Sequence, residues 1–181
     1  MANVINIYTD GACSGNQYDE NIGGWGAILE YGVHKKELHG GEKNTTNNRM
    51  ELTALIRGLE ALNKTGYAVN VFSDSSYIMN CLSKRWYENW RKNGWKTSAK
   101  KPVENRDLWE KVLSYIESYD FRYYLVKGHV STKASAETLQ KNYEKFKGNN
   151  GNGFSYDEYL YITEKNNRAD ELANVGMDEI R

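Results

Sequence analysis

The stretch "TTNNRMELTALIRGLEALNK", residues 45–64, is followed at once by "YAVNVFSD", residues 67–74, and the change of period between them decides the fold class. Met50, Ala54, Leu55, Leu59 and Leu62 recur at helical spacing, with Thr46 and Asn47 ahead of them to cap. "YAVNVFSD" is a short apolar run that reads as a buried strand. A helix leading into a buried strand implies a right-handed crossover, which sets this strand parallel to an earlier one. The chain is therefore expected to be α/β.

Working outward, "VINIY" (4–8) reads as a first strand ending before Asp10. "GGWGAILEYG" and "VHKKELHGG" read as two more, joined as a hairpin at Gly32. Toward the C-terminus, Ile78, Met79 and Leu82 mark a short helix, and "NRDLWEKVLSYIESY" a longer one. "FRYYLVKG" supplies a fifth strand. From 131 to 165 the composition shifts to Lys, Glu, Asn and Tyr. There the pattern predicts a helix over 134–147, a loop at "KGNNGNG", and a helix opened by Ser155 with Glu158 as its capping-box partner, running on into "NNRADELANVGM".

At 181 residues the chain is expected to form one domain over 1–181. Lys plus Arg equals Asp plus Glu at 24 each, so electrostatic arguments must be local. Cys13 and Cys81 are too few for a disulfide scaffold, and no run approaches the ~20 apolar residues of a membrane span. These features lead us to expect a soluble, cytoplasmic protein in a reducing compartment with no membrane partner.

Four acidic residues stand in suggestive places. Asp10 and Asp74 each follow a strand, and functional groups in open α/β sheets gather at the carboxyl ends of parallel strands. Glu51 lies one turn into the first long helix, and Asp170 on the last. Each has an ordinary alternative: a turn-forming aspartate, a first-turn glutamate favoured by the helix dipole, a solvated helix residue. Spacing alone does not prove that the four meet. If they do, crowded carboxylates call for cations, and an all-oxygen donor set suits Mg²⁺ or Mn²⁺ rather than zinc. Two such ions about 4 Å apart can activate water and steady a leaving oxygen in phosphodiester hydrolysis.

Taken in order, "YTDGACSGN", "TTNNRMEL", "FSDSSY", "VKGH" and "NNRADELAN" resemble the blocks of the type 1 ribonuclease H family over nearly the whole chain apart from 131–165. The resemblance implies a ribonuclease H-like five-stranded mixed sheet, three antiparallel strands then parallel ones, flanked by helices. It implies an endonuclease that cuts the RNA strand of RNA–DNA hybrids and leaves 5′-phosphate and 3′-hydroxyl ends. By motif position Asp10, Glu51, Asp74 and Asp170 match the catalytic carboxylates that bind two Mg²⁺ ions, with Mn²⁺ a possible substitute, and His129 matches a mobile histidine assisting proton transfer or product release. Cys13, Ser14, Asn16, Asn47 and Asn48 resemble positions touching the hybrid's minor groove, where 2′-hydroxyls mark RNA.

Between Lys84 and Lys101, "KRWYENWRKNGWKTSAKK" carries seven cationic residues (Lys84, Arg85, Arg91, Lys92, Lys96, Lys100 and Lys101) against one acid, Glu88. Interleaved Trp86, Trp90 and Trp95 suit a nucleic-acid backbone and its sugars, although some of these indoles could simply be core. The segment resembles the basic protrusion of a family subset, here 84–105. Trp86, Trp90 and Ser98 are then expected along a DNA-strand channel, with Thr46 and Asn105 in a DNA-phosphate pocket. Asn44 stands where that pocket often has an arginine, next to Lys43, and Ser76 replaces a common glutamine.

Residues 131–165 form a family-atypical insert before the last helix, read either as a helical hairpin near the active-site rim, its lysines touching substrate, or as a solvated excursion. The first strand begins almost at Met1, so no N-terminal hybrid-binding module is expected. The leading expectation is a stand-alone, monomeric hybrid nuclease without organic cofactor. The alternatives are the nuclease domain of a reverse transcriptase and a non-catalytic hybrid-binding module.

Overall fold

The computed structural model describes residues 3–15, 20–63 and 66–181. Strands β1 (Val4–Ser14), β2 (Ile22–Tyr31) and β3 (His34–Lys43) form an antiparallel meander. Its β2–β3 turn pairs Tyr31 with His34 around Gly32, whose φ of 59° suits a residue without Cβ. Helix α1 (Asn47–Glu60) crosses back to β4 (Ala68–Ser73), and β5 (Asp120–Leu125) adds a further parallel strand. The sheet order is β3-β2-β1-β4-β5, the mixed five-stranded sheet expected from the sequence. Between β4 and β5 lie α2 (Ser76–Ser83), α3 (Trp86–Lys92) and α4 (Arg106–Ile116); α5 (Ala136–Asn150) and α6 (Tyr156–Glu179) follow.

Two apolar layers sandwich the sheet. On one face Ile5, Ile7, Val69 and Val71 pack with Leu52, Leu55, Leu59, Trp109 and Val112 of α1 and α4. On the other, Tyr8, Ile28 and Phe72 pack with Phe146, Tyr159, Ile162, Ala169 and Leu172 of α5 and α6. Side chains alternate faces along a strand, so Asp10, two residues after Tyr8, shares the α6 side. Among the described residues no helix is long and apolar enough to cross a membrane.

Three sequence expectations need correction. Asp10 does not terminate β1, which continues to Ser14. Parallel pairing with β4 stops at Tyr8–Phe72, whereas antiparallel pairing with β2 runs on through Asp10–Gly26 to Ser14–Ile22. The strand outlasts its apolar run because a hairpin partner satisfies its backbone on one side.

The helix expected over 134–147 spans Ala136–Asn150 instead, and "KGNN" lies inside it. It ends on Gly151 at φ 86°, where the last-turn carbonyl of Lys147 accepts from the Gly151 N–H. Nor is 131–165 a solvated excursion. Leu139, Asn142 and Phe146 are buried, and Tyr143, Phe154, Tyr156 and Tyr159 form an aromatic cluster against α6. The capping box of Ser155 and Glu158 forms as expected and opens α6, which runs on for 24 residues.

Candidate active site

The fork where β1 and β4 part is the site. Asp10 lies just beyond the last β1–β4 pair, and Asp74 directly follows β4. Glu51 arrives from α1, whose start is set by Thr46 Oγ1 accepting from the Arg49 N–H at 3.1 Å. The helix can approach because Gly11 has no side chain: a Cβ there would strike the backbone of Met50 and Glu51. A Cβ on Gly128 of "VKGH" would displace the Asp74 carboxylate rather than backbone.

Carboxylate oxygens of Asp10, Glu51 and Asp74 all lie within 4.8 Å of one another. Asp170 faces Asp10 from α6, and His129 Nδ1 lies 3.8 Å from Asp170 Oδ2. His129 is 77% exposed on a left-handed backbone. Local partners are few: the Gly11 N–H donates to Asp10 Oδ1 at 3.0 Å, and buried Ser73 Oγ lies 3.5 Å from Glu51 Oε2. Among the described residues no Lys or Arg pairs with any of the four acids.

The electrostatic result is severe. Burial, then Glu51 and Asp74, push the Asp10 carboxyl up to about 11, and burial with Asp74 raises Glu51 well above the carboxylate range. Largely buried, crowded, all-oxygen and without a Lys or Arg partner among the described residues, the cluster fits hard divalent cations.

These groups line one open cleft of about 570 Å³, together with Cys13, Ser14, Asn47, Asn48 and Asn174. Asn174, missed in the sequence reading, sits one turn beyond Asp170 and donates to its carbonyl at 3.0 Å; the i,i+4 spacing would have revealed it. Ser73, Ser75 and Tyr77, also missed, flank Asp74 in the quoted block, where the sequence carries no separate signal for them. Asn16 lies outside the described residues.

The basic arm stands apart from this cleft. Trp90 is half-buried against Trp95 and Trp109, so it belongs partly to the core, while Trp86 is exposed with Lys84 Nζ 5.5 Å from its ring centroid. Ser98 and Lys100 lie at an exposed tip closed by the Thr97 N–H donating to Lys101 O at 2.8 Å. Arg85 pairs with Glu88 and Arg91 with Glu117; among the described residues Lys92, Lys96, Lys100 and Lys101 make no ion pair.

Lys43 turns to Glu20 at 3.7 Å rather than toward Asn105. The cation beside Thr46 and Asn105 is Arg49, which donates to Asn105 Oδ1 at 3.2 Å and forks onto Asp107 at 3.1 and 2.9 Å.

The chain matches the family model described as RNase H over residues 2–178. The ribonuclease H of Chlorobaculum parvum is 50% identical over 179 residues, covering 99% of each chain. That of Clostridium botulinum strain Hall is 40% identical over 179 residues, covering 99% of this chain and 98% of the relative. Among solved structures, a type 1 RNase H with the type 2 active-site motif superposes with a TM-score of 0.67 at 25% identity, covering 99% of this chain and 74% of that one. An RNase H1 solved with an RNA/DNA hybrid gives 0.55 at 21% identity, covering 97% and 98%, a likeness of fold. With an acidic cluster at the β1–β4 fork and relatives that align from end to end, the chain belongs to the RNase H family.

Proposed function

We propose that this protein hydrolyses the RNA strand of RNA–DNA hybrids, leaving 5′-phosphate and 3′-hydroxyl ends. The observation that carries the reading is the convergence of Asp10, Glu51, Asp74 and Asp170 in an open cleft with no Lys or Arg partner among the described residues, in a chain of this family. Two divalent cations, Mg²⁺ or Mn²⁺, held by these carboxylates would supply the charge that activates a water and stabilises the leaving oxygen.

The chain's own groups do the rest. Asp10 and Glu51, fixed by the Gly11 contact, hold their oxygens toward the scissile phosphate without side-chain reorganisation. His129, exposed beside Asp170, would carry a proton at the leaving oxygen. Cys13, Ser14, Asn47 and Asn48 form the wall that would meet the RNA ribose, where a 2′-hydroxyl can be told from hydrogen. The arm, with Trp86, Trp90 and Ser98 and its unpaired lysines, would track the DNA strand, and Thr46, Arg49 and Asn105 one of its phosphates. We read 1–181 as a single cytoplasmic, monomeric domain with a protrusion at 84–105.

The test is a labelled hybrid beside RNA and DNA duplexes of the same sequence, with Mg²⁺ or EDTA, and an Asp10→Asn variant. Cutting confined to the hybrid's RNA strand, abolished by EDTA and by the substitution, is expected. Tight binding without cutting under Mg²⁺ or Mn²⁺ would instead identify a hybrid-binding module.

A further inference from the structure

Beside the catalytic cleft lies a second cavity of about 340 Å³, and Asp74 and Ser76 form part of the wall of both. Its far wall is α5, the helix that the family pattern does not anticipate, through Asn142, Lys145 and Asn149; Lys127 closes one edge and Phe146 and Tyr159 the floor. The lining is cationic and amide-bearing. Among the described residues neither Lys127 nor Lys145 has a carboxylate partner. The Asn142 side-chain amide, on a residue only 9% exposed, has no hydrogen-bond partner among them either. Its amide atoms are open to the cavity, where a ligand oxygen or a water can meet them.

The wall is also rigidly placed. Asn150 hydrogen-bonds through its side chain to both the N–H and the carbonyl of Leu125, and Phe146 packs on Phe154 and Tyr159. A polynucleotide whose scissile phosphate lies on Asp10 and Asp74 must continue past one side of Asp74. A cationic, hydrogen-bonding depression there compensates the repulsion that four carboxylates exert on a polyanion.

We propose that α5 builds a subsite for the RNA nucleotide flanking the scissile phosphate. Lys145 and Lys127 face its phosphate, and the Asn142 and Asn149 amides are available to its ribose and phosphate oxygens. This rests on the hydrolytic reading above. The insert thereby lengthens the grip on the RNA strand itself, separate from the arm's grip on DNA.

The test uses the full chain with a labelled hybrid, comparing Lys145→Glu and Asn149→Ala with Lys141→Glu, a charge reversal on the same helix away from the cavity. The expected result is a KM raised about tenfold by Lys145→Glu at little-changed kcat, less by Asn149→Ala, and less than about twofold by the control. Methylphosphonate linkages are then placed singly along the RNA strand. One linkage beside the cut should weaken wild-type binding and cost the Lys145→Glu variant nothing more. Equal effects of Lys145→Glu and Lys141→Glu, or an equal methylphosphonate penalty in both proteins, would overturn the subsite. Fluorescence anisotropy of the uncut hybrid reads it without turnover, so a chain that binds through Lys145 yet never cuts would refute the hydrolytic reading alone.

Discussion

The Asn150 side chain takes the place of a neighbouring strand for Leu125: its Oδ1 accepts from the Leu125 N–H at 2.9 Å and its Nδ2 donates to the Leu125 carbonyl at 2.7 Å. β5 is the edge of the sheet, and Leu125 is its last residue before the loop carrying Gly128 and His129. Replacing Asn150 by Ala leaves both backbone groups part-buried and unmatched. A loss of about 1–3 kcal/mol in chemical denaturation is expected. Asn150→Asp should be no better, because a carboxylate cannot donate to the carbonyl.

Gly26 stands opposite Asp10 in the β1–β2 ladder, and a Cβ on it would run into the Ala169 carbonyl, one residue before Asp170. Helix α6 therefore rests on bare backbone, and Gly26→Ala should push the Asp170 turn outward. Stability should fall by about 1–3 kcal/mol, and hybrid cleavage by on the order of 100-fold, since small displacements of catalytic groups are expensive. Gly148→Ala, in open space on α5, should instead stabilise by about 0.4–1 kcal/mol and leave cleavage intact.

Stability of the metal-free protein should fall as pH rises. A carboxyl whose pKa is higher folded than unfolded binds more protons in the native state, so its contribution is full below its ordinary value of 3.8 and is lost toward about 11. Thermal melts from pH 5 to 8 without metal should show Tm decreasing, and Asp10→Asn should flatten that slope and raise the pH 8 stability by at least about 1 kcal/mol. Mg²⁺ or Mn²⁺ should stabilise the wild type and not the variant to the same extent. A Tm that climbs with pH in EDTA would contradict the crowding described for the cluster.

Neutralising Lys96, Lys100 and Lys101 together should weaken hybrid binding and reduce the slope of log K against log salt by about 1 for each phosphate contact removed. These lysines make no ion pair among the described residues, unlike Arg85 and Arg91, whose replacement should matter less because Glu88 and Glu117 already share their charge. An unchanged salt slope in the triple variant would place the arm off the substrate.

The five strands, the α1 crossover and the Ser155 capping box were legible in the sequence because each rests on local period or capping chemistry, whereas the mixed sheet came from the family resemblance and the strand order from the structure. The extent of β1 was not. Its residues past Tyr8 are held by β2, a partner that hydropathy does not reveal. α5 was misjudged at its end because Gly and Asn favour turns locally, and here tertiary contacts through Phe146 and Asn150 override that preference. At the site the acids were recognisable by motif. Their mutual distance, the seating glycines and the position of Arg49 between Thr46 and Asn105 exist only in three dimensions.

The unbroken course of α6 has a consequence for how the molecule breathes. Asp170 is the fifteenth residue of a 24-residue helix that starts at the capping box, so roughly 20 Å of rod lies between the two. Fraying that begins at Ser155 unzips turn by turn against aromatic side chains, but it meets the glycine seat at Ala169 and Ala173, where helix and sheet touch backbone to backbone. Amide protons before Ala169 should therefore exchange through a smaller opening than those after it. The first turns of α6 should therefore open without displacing the carboxylate that completes the cluster.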